Sequence, residues 1–147
     1  MDALTVIRGM LAGVAATGAM TLVELPARSR WGLAALVDWQ ENQTMASWIN
    51  GRPVEASTLP GLAFHVLHGL IAGIVFVLLL PLFTPQLPLV ALGAGYGAVL
   101  WAIGLFLFRP ITHRSPRAGP AAPVAVAVSL AAHLVYGVAL GILVVWP

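Results

Sequence analysis

Three of the four histidines lie in almost wholly apolar stretches, where an ionisable side chain is a candidate for chemistry. Two of them begin the same pattern, His-x-x-x-Gly-x-x-x-Gly, which occurs at His65, Gly69 and Gly73 and again at His133, Gly137 and Gly141. On a helix, a spacing of four residues puts all three on one face. His68 follows one turn after His65. An imidazole can bind a metal or a haem iron, carry a proton, or form a hydrogen bond.

The sharpest interpretation of this pair is a haem site. His65 and His133 occupy equivalent positions of the repeat, on two predicted spans that cross the bilayer in the same direction. Such helices can hold a haem b between one imidazole from each, with room beside the glycines, and His68 is a third candidate ligand. Against this, His65 lies nearer the start of its span than His133 does, a mismatch of roughly 6 Å. We expect no cofactor, with haem b as the alternative.

A metal or proton site is the second chemical interpretation. Glu24 is the only acidic residue within reach of the predicted spans. It could join His65 and His68, whose i, i+3 spacing lets both rings address one metal ion. A simpler alternative pairs Glu24 with Arg28 one turn later, because an acid near a helix C-terminus needs a partner. We favour the ion pair.

The interpretation that we favour for the histidines themselves is structural. Each ring bonds to a carbonyl or hydroxyl group of a neighbouring helix, an interaction that contributes roughly 0.6 to 2 kcal/mol in membranes. No serine has an acid–histidine chain to activate it, and the sequence has no phosphate-binding loop or zincin helix. We therefore expect a protein that is not an enzyme.

Composition places these residues in a membrane protein. Of 147 residues, 60% are hydrophobic and 8% are charged, and the mean hydropathy is +0.95. Soluble domains carry roughly 25% charged residues. The length is that of a single domain, residues 1–147. There is no cysteine to form a thiolate metal site. All seven basic residues are arginines that form no basic face with interleaved aromatics, so we expect no nucleic-acid partner.

Four apolar runs are long enough to cross the roughly 30 Å hydrocarbon core of a bilayer. They cover residues of about 4–25, 59–80, 89–108 and 123–146. The connection 81–88 is uncharged and short, so the second and third spans should be antiparallel neighbours. We predict an all-α integral membrane four-helix bundle with antiparallel up-down topology. In the loop 26–58, Trp31, Ala35 and Trp39 share a helical face, which predicts a short helix lying in the membrane interface.

Glycines at intervals of four indicate how the spans pack. Because no hydrophobic effect draws helices together in lipid, small residues that allow close backbone approach hold such bundles together. The packing glycines predicted from this spacing are Gly9, Gly13, Gly69, Gly73, Gly93, Gly97, Gly137 and Gly141.

The arginines predict the orientation. The loops 26–58 and 109–122 lie on the same side of a four-span protein and contain six of the seven arginines. The positive-inside bias then places both loops in the cytoplasm and both termini outside, in a multi-pass protein of the inner (cytoplasmic) membrane.

Three segments carry a resemblance to known sequences. They are 64–73, 92–101 with the later Arg109-Pro110, and above all 129–141, which reads SLAAHLVYGVALG. Together they resemble the YagU-like group of small uncharacterised four-span membrane proteins of bacteria and archaea. The likeness covers the last three spans and, more loosely, the first. It implies a compact four-helix membrane fold and no particular function, because that group has no established activity.

The function that we expect is non-catalytic. So small a bundle has little soluble mass with which to act alone. We expect a structural or accessory subunit in the lipid bilayer that packs against other membrane proteins or against itself. The first alternative is an electron-transfer protein that binds haem b or a chlorin through the paired histidines. The second is a small transporter of metal ions or protons, with Glu24, His65 and His68 on its path.

Overall fold

The computed structural model describes residues 2–31, 37–83, 87–112 and 122–144, and within these ranges the folded elements are all helical. The α-helices are α1 (Ala3–Trp31), α2 (Val37–Asn50), α3 (Thr58–Leu79), α4 (Leu89–Ile103), α5 (Arg109–Ile111) and α6 (Ala122–Leu143). Short 3-10 turns cover Val54–Ala56 and Leu80–Leu82, and a π-helical turn, Gly104–Phe108, joins α4 to α5. The predicted all-α class is confirmed.

Four helical segments are long and apolar enough to cross a membrane, as expected of a multi-pass membrane protein. They are Ala3–Arg30, Thr58–Leu82, Leu89–Ile111 and Pro123–Leu143. Each overlaps one of the predicted spans, but the first helix does not end at Leu25. It continues through Pro26, whose missing N–H removes one intrahelical hydrogen bond without ending the helix. The last residues of the fourth predicted span, 145 and 146, lie outside the described residues.

Local sequence signals set two of the helix ends. Asp2 caps α1, because its Oδ1 atom accepts hydrogen bonds from the backbone N–H of Thr5 at 2.8 Å and from the Thr5 hydroxyl at 2.6 Å. These bonds hold the pKa of the Asp2 carboxyl below its usual value. After α2, Gly51 turns the chain with a φ of 66°, a left-handed conformation that costs glycine little.

Close backbone packing joins the long helices in the order α3, α1, α6, α4, and α2 packs against α3. Helices α1 and α3 run antiparallel, because Gly9 lies beside Gly73 while Gly13 lies beside Gly69. The core between α1, α3 and α6 is formed by Ala12, Ala16, Met20, Phe76, Ala132, Tyr136 and Leu140.

The glycines with the predicted spacing lie at two of these helix contacts. Between α1 and α3, a Cβ atom added to Gly9 would lie 2.8 Å from the carbonyl oxygen of Gly73, and one added to Gly13 would lie 3.1 Å from the Cα of Gly73. The Thr17 side chain fills the space beside Gly69. Between α4 and α6, backbone atoms of the opposite helix fill the space beside Gly93, Gly97, Gly137 and Gly141. Any larger residue at these positions would push the helices apart.

Helices α3 and α4, which belong to the second and third spans, stand apart. Helices α3 and α4 share few close backbone contacts, because the glycine face of α3 packs on α1 and that of α4 packs on α6. Across the gap, the Tyr96 hydroxyl donates a hydrogen bond of 2.9 Å to the carbonyl oxygen of Ala72. The rings of Phe76 and Tyr96 lie 5.2 Å apart. The bundle is therefore open between α3 and α4 apart from these bridging contacts.

Helix α2 forms inside the loop where a short helix is predicted, but much of its polar surface faces inward. The buried polar side chains are Glu41, Asn42, Gln43, Thr44 and Ser47. Trp39 is only 9% exposed and packs beside Ala27, and the interfacial position of this helix stays a prediction. Ala35 and the side chain of Trp31 lie outside the described residues. Burial of this helix against α3 brings new polar groups to the histidines.

Candidate functional site

Buried polar side chains gather at the end of the bundle where α2 lies. Among them, between 2% and 6% exposed, are Glu24, Glu41, Asn42, His65, Arg109 and Ser129. They come from α1, α2, α3, α5 and α6. Ionisable groups inside a membrane bundle are costly, and they mark functional sites more often than buried polar groups of soluble proteins do.

Asn42 of α2 joins the two histidines of α3. Its Nδ2 atom lies 3.3 Å from Nδ1 of His65, and its Oδ1 atom lies 3.0 Å from Nδ1 of His68. The other ring nitrogen of His65, Nε2, lies 3.2 Å from the Thr21 hydroxyl. That hydroxyl donates a hydrogen bond of 2.8 Å to the carbonyl oxygen of Thr17. The contacts therefore form one continuous path from His68 to the backbone of α1.

One neutral tautomer of each ring satisfies all of these contacts. Because the Thr21 hydroxyl already donates to Thr17, it accepts from Nε2–H of His65, whose Nδ1 then accepts from the Asn42 amide. The Asn42 oxygen accepts from Nδ1–H of His68. This assignment leaves Nε2 of His68 as a hydrogen-bond acceptor.

Asp38, also on α2, is held by α6. The Ser129 hydroxyl lies 2.9 Å from Oδ2 and 3.2 Å from Oδ1 of Asp38, and donates to the carboxylate. Nδ1–H of His133 donates to the carbonyl oxygen of Ser129 at 2.9 Å and lies 3.8 Å from Oδ2 of Asp38. In the neutral ring, Nε2 of His133 is then an acceptor as well.

Glu41 is a buried carboxyl with an unpartnered oxygen. It is 5% exposed, and its Oε1 atom has no hydrogen-bond partner among the residues that the structure describes. Burial raises the pKa of Glu41 to about 8. This value already includes a smaller increase caused by the Asp38 carboxylate and a decrease caused by the Arg109 guanidinium. Glu41 therefore retains its proton through neutral pH unless a positive charge comes close to it.

A cavity of about 300 Å³ lies beside these groups, a volume at the lower end for small-molecule sites, roughly 300 to 1,000 Å³. Its polar wall contains Asp38, Glu41, Asn42, His65, His68 and His133. Its apolar wall contains Ile71, Val75, Leu100, Ile103 and Phe108. Tyr136 also lines it and donates a hydrogen bond of 2.7 Å to the carbonyl oxygen of Gly69. The cavity is therefore polar on one side and apolar on the other.

The structure does not place Glu24 where the sequence analysis expects it. Glu24 is 2% exposed, and its Oε2 atom has no hydrogen-bond partner among the described residues. Arg28 is exposed and forms no ion pair with Glu24 among the described residues, so the predicted Glu24–Arg28 pair is wrong. Within the described ranges, no three histidine, aspartate or glutamate side chains are arranged to hold a metal ion. Glu24, His65 and His68 are thus not brought together as a ligand set.

The histidines proposed for haem share the cavity, but their surroundings do not fit a haem. His65 and His133 both line it. Both ring nitrogens of His65 already contact protein groups, Thr21 and Asn42, so neither faces an iron without breaking a hydrogen bond. The neighbouring helices fill the space beside Gly69 and Gly137 that a macrocycle would need.

Sequence reasoning missed the contribution of α2. Asp38, Glu41 and Asn42 have the i, i+3, i+4 spacing of one helical face. That spacing was the available signal for their common direction. Nothing in the sequence indicated that the face turns toward the histidines. Another missed cavity residue, Tyr96, lies on a span that otherwise reads as purely apolar.

Comparison with known proteins places the chain among proteins of unknown function. The model of a family described as "Family of unknown function (DUF6789)" matches residues 3–146. No curated protein and no solved structure matches. An uncharacterised family is what the sequence analysis expects, whereas the YagU-like grouping stays a prediction.

Proposed function

The chain belongs to the DUF6789 family, a family of unknown function, and we propose that it is a membrane carrier that binds a small organic cation in the cavity. The proposal rests on the environment of the Glu41 side chain. Its buried carboxyl lines the cavity and has an oxygen without a hydrogen-bond partner among the described residues. Such a group is costly to bury unless something positive or hydrogen-bonding meets it.

The charges of the cluster favour a cation. Its described carboxyls are Glu24, Asp38 and Glu41, and the guanidinium near them is that of Arg109. The three carboxyl groups of this cluster thus outnumber the Arg109 guanidinium within it, while Arg28 and Arg30 are exposed at the end of α1. A positively charged ligand would reduce this difference.

The hydrogen-bonding groups favour a cation that carries N–H. The tautomers derived above leave Nε2 of His68 and Nε2 of His133 as acceptors, and Asp38 and Glu41 add carboxylate oxygens. A primary ammonium donates three hydrogen bonds, so it matches this set better than a quaternary ammonium does. A bare metal ion would need converging ligands, which the described residues do not provide.

Binding of such a cation is coupled to release of a proton. Burial keeps Glu41 protonated at neutral pH, with a pKa of about 8. A cation beside the carboxyl stabilises the ionised form, so the proton leaves as the cation arrives. Cation and proton then exchange at one site, as expected of a small exchanger.

Titration calorimetry with butylammonium tests the proposal on the purified protein in detergent. Butanol and butyltrimethylammonium are the controls for charge and for N–H donation. We expect saturable binding of butylammonium that weakens at least tenfold in Glu41→Gln and Asp38→Asn. Glu55→Gln is the matched control, because Glu55 is exposed and does not line the cavity. The proposal fails if butylammonium gives no saturable binding, or if it binds both cavity variants as tightly as the wild-type protein.

The role of accessory subunit rests on the small size of the bundle alone. Its test is copurification from native membranes in mild detergent, where a lone monomer would count against it. The haem alternative is tested by an absorbance scan with and without dithionite. We propose no catalytic step, and we propose that the loops 26–58 and 109–122 face the cytoplasm on the basis of their arginines.

A further inference from the structure

The cavity has a mouth in the apolar flank of the bundle, between α3 and α4. Ile71, Val75 and Ile103 line the cavity, yet they are 47%, 38% and 39% exposed. A residue that both lines a cavity and reaches the surface marks an opening. Ile71 and Val75 lie well inside the membrane-spanning segment Thr58–Leu82. The mouth therefore opens toward lipid.

The packing of the helices explains why this mouth exists. Their glycine faces draw α3 onto α1 and α4 onto α6, which leaves α3 and α4 bridged mainly by the Tyr96 hydroxyl. Gly104 begins the π-helical turn and lines the cavity. A Cβ atom added to Gly104 would meet no other atom within 4 Å. The absent side chain keeps this part of the cavity open.

The polarity of the walls changes along α3. His65 and His68 lie at the polar end, whereas Ile71 and Val75 lie at the mouth. From His65 to Val75 the helix rises roughly 15 Å. The carboxylates of Asp38 and Glu41 are at the polar end as well. A molecule that satisfied both walls would carry its charge at one end and an apolar chain at the other.

From this arrangement we infer that the ligand is a long-chain primary amine, which enters from the bilayer between α3 and α4 with its ammonium group toward Asp38 and Glu41. The inference rests on the proposed function and adds to it the class of substrate and the route of entry. A short cation would leave the apolar wall without a partner. A neutral lipid chain would leave the unpartnered carboxyl of Glu41 unmet.

Photolabelling tests the route. The protein is placed in phosphatidylcholine nanodiscs with dodecylammonium that carries a diazirine at the end of its tail, and labelled residues are located by mass spectrometry. We expect labels concentrated at Ile71, Val75 and Ile103. The control probe is dodecanol with the same diazirine. Because it is neutral, it shows which residues are labelled through ordinary contact with lipid. It should label the exposed residues Leu11 and Leu22 of α1 as strongly as the mouth.

A variant that fills part of the cavity, called the plug variant, supplies the decisive comparison. Gly104→Leu puts a side chain into the cavity without a backbone clash. Gly95→Leu is the matched control, because Gly95 is also open on α4 but does not line the cavity. We expect Gly104→Leu to reduce labelling at the mouth by the ammonium probe at least fivefold, and Gly95→Leu to leave it unchanged. Thermal melting confirms that both variants are folded.

The outcomes separate this inference from the proposed function. Uniform labelling by the ammonium probe, or equal labelling of the plug and wild-type proteins, overturns lateral entry. The cation site itself still stands if butylammonium binding needs Glu41. Uniform labelling together with no butylammonium binding overturns both.

Discussion

The Ser129 hydroxyl donates a hydrogen bond of 2.9 Å to the Asp38 carboxylate, which joins α6 to α2 across 91 positions of the chain. Ser129 is one turn before His133, and Asp38 is one turn before Glu41 and Asn42. This contact therefore aligns the fourth span with the helix of the first loop. It gives the cavity a wall that comes from outside the four spans, and it makes α2 part of the candidate site rather than a separate surface element.

Asn42→Ala should destabilise the protein by about 1–3 kcal/mol, because it leaves the buried His65 ring without its partner and removes the contact to His68. The measurement is the thermal melting temperature in detergent. Ile49→Ala on the same helix is the control, since Ile49 is 75% exposed. If the two variants have the same melting temperature, Asn42 does not hold α2 against α3.

Gly137→Ala should lower the stability of the bundle by about 1–3 kcal/mol, as overpacking typically does. A Cβ atom at this position would meet the backbone of Gly93 and would lie 3.0 Å from the Gly97 nitrogen, so α4 and α6 must separate. Gly95→Ala should leave melting unchanged, because its Cβ meets nothing within 4 Å. Equal melting of the two variants would show that close approach of α4 and α6 is not needed.

The stability of the ligand-free protein should fall as the pH rises from about 5 to about 8. The folded-state pKa of Glu41 is about 8, above the ordinary 4.5 that it regains on unfolding. Between these values the folded protein holds a proton that the unfolded chain has released, so raising the pH favours unfolding. Asp38 and Arg109 are the charged groups that act on this carboxyl.

Melting curves at several pH values, compared between wild-type protein and Glu41→Gln, measure this contribution. The melting temperature of Glu41→Gln should fall less than that of the wild-type protein as the pH rises. The melting temperature of Glu55→Gln should fall as much as that of the wild-type protein. Identical pH profiles of wild type and Glu41→Gln would mean that Glu41 titrates at its ordinary value.

Arg52→Cys should be labelled by a membrane-impermeant maleimide only after the cytoplasmic face is opened. The chain has no cysteine of its own, so a single introduced thiol reports one side of the membrane. Arg52 is exposed and lies between α2 and α3. Labelling of intact cells at this position would reverse the orientation derived from the positive-inside bias.

Hydropathy and spacing alone determined the general architecture. An apolar run of more than about 18 residues must satisfy its backbone internally in lipid, so the four spans could be located without a structure. Glycines every fourth residue need no tertiary information to define a smooth helical face. The sequence also identified His65, His68 and His133 as the histidines that line the cavity region, because ionisable residues are conspicuous in apolar runs.

Only the tertiary structure decided what surrounds those histidines. Asp38 and Glu41 looked like ordinary loop acids, since the sequence does not encode on which side a short amphipathic helix docks. No Glu24–Arg28 ion pair forms among the described residues, because Glu24 is buried in the bundle whereas the Arg28 side chain is exposed. The opening between α3 and α4 depends on which glycine faces meet, and several pairings of four such faces are equally compatible with the sequence pattern. Contacts between distant parts of the chain selected one pairing, and with it the position of the cavity.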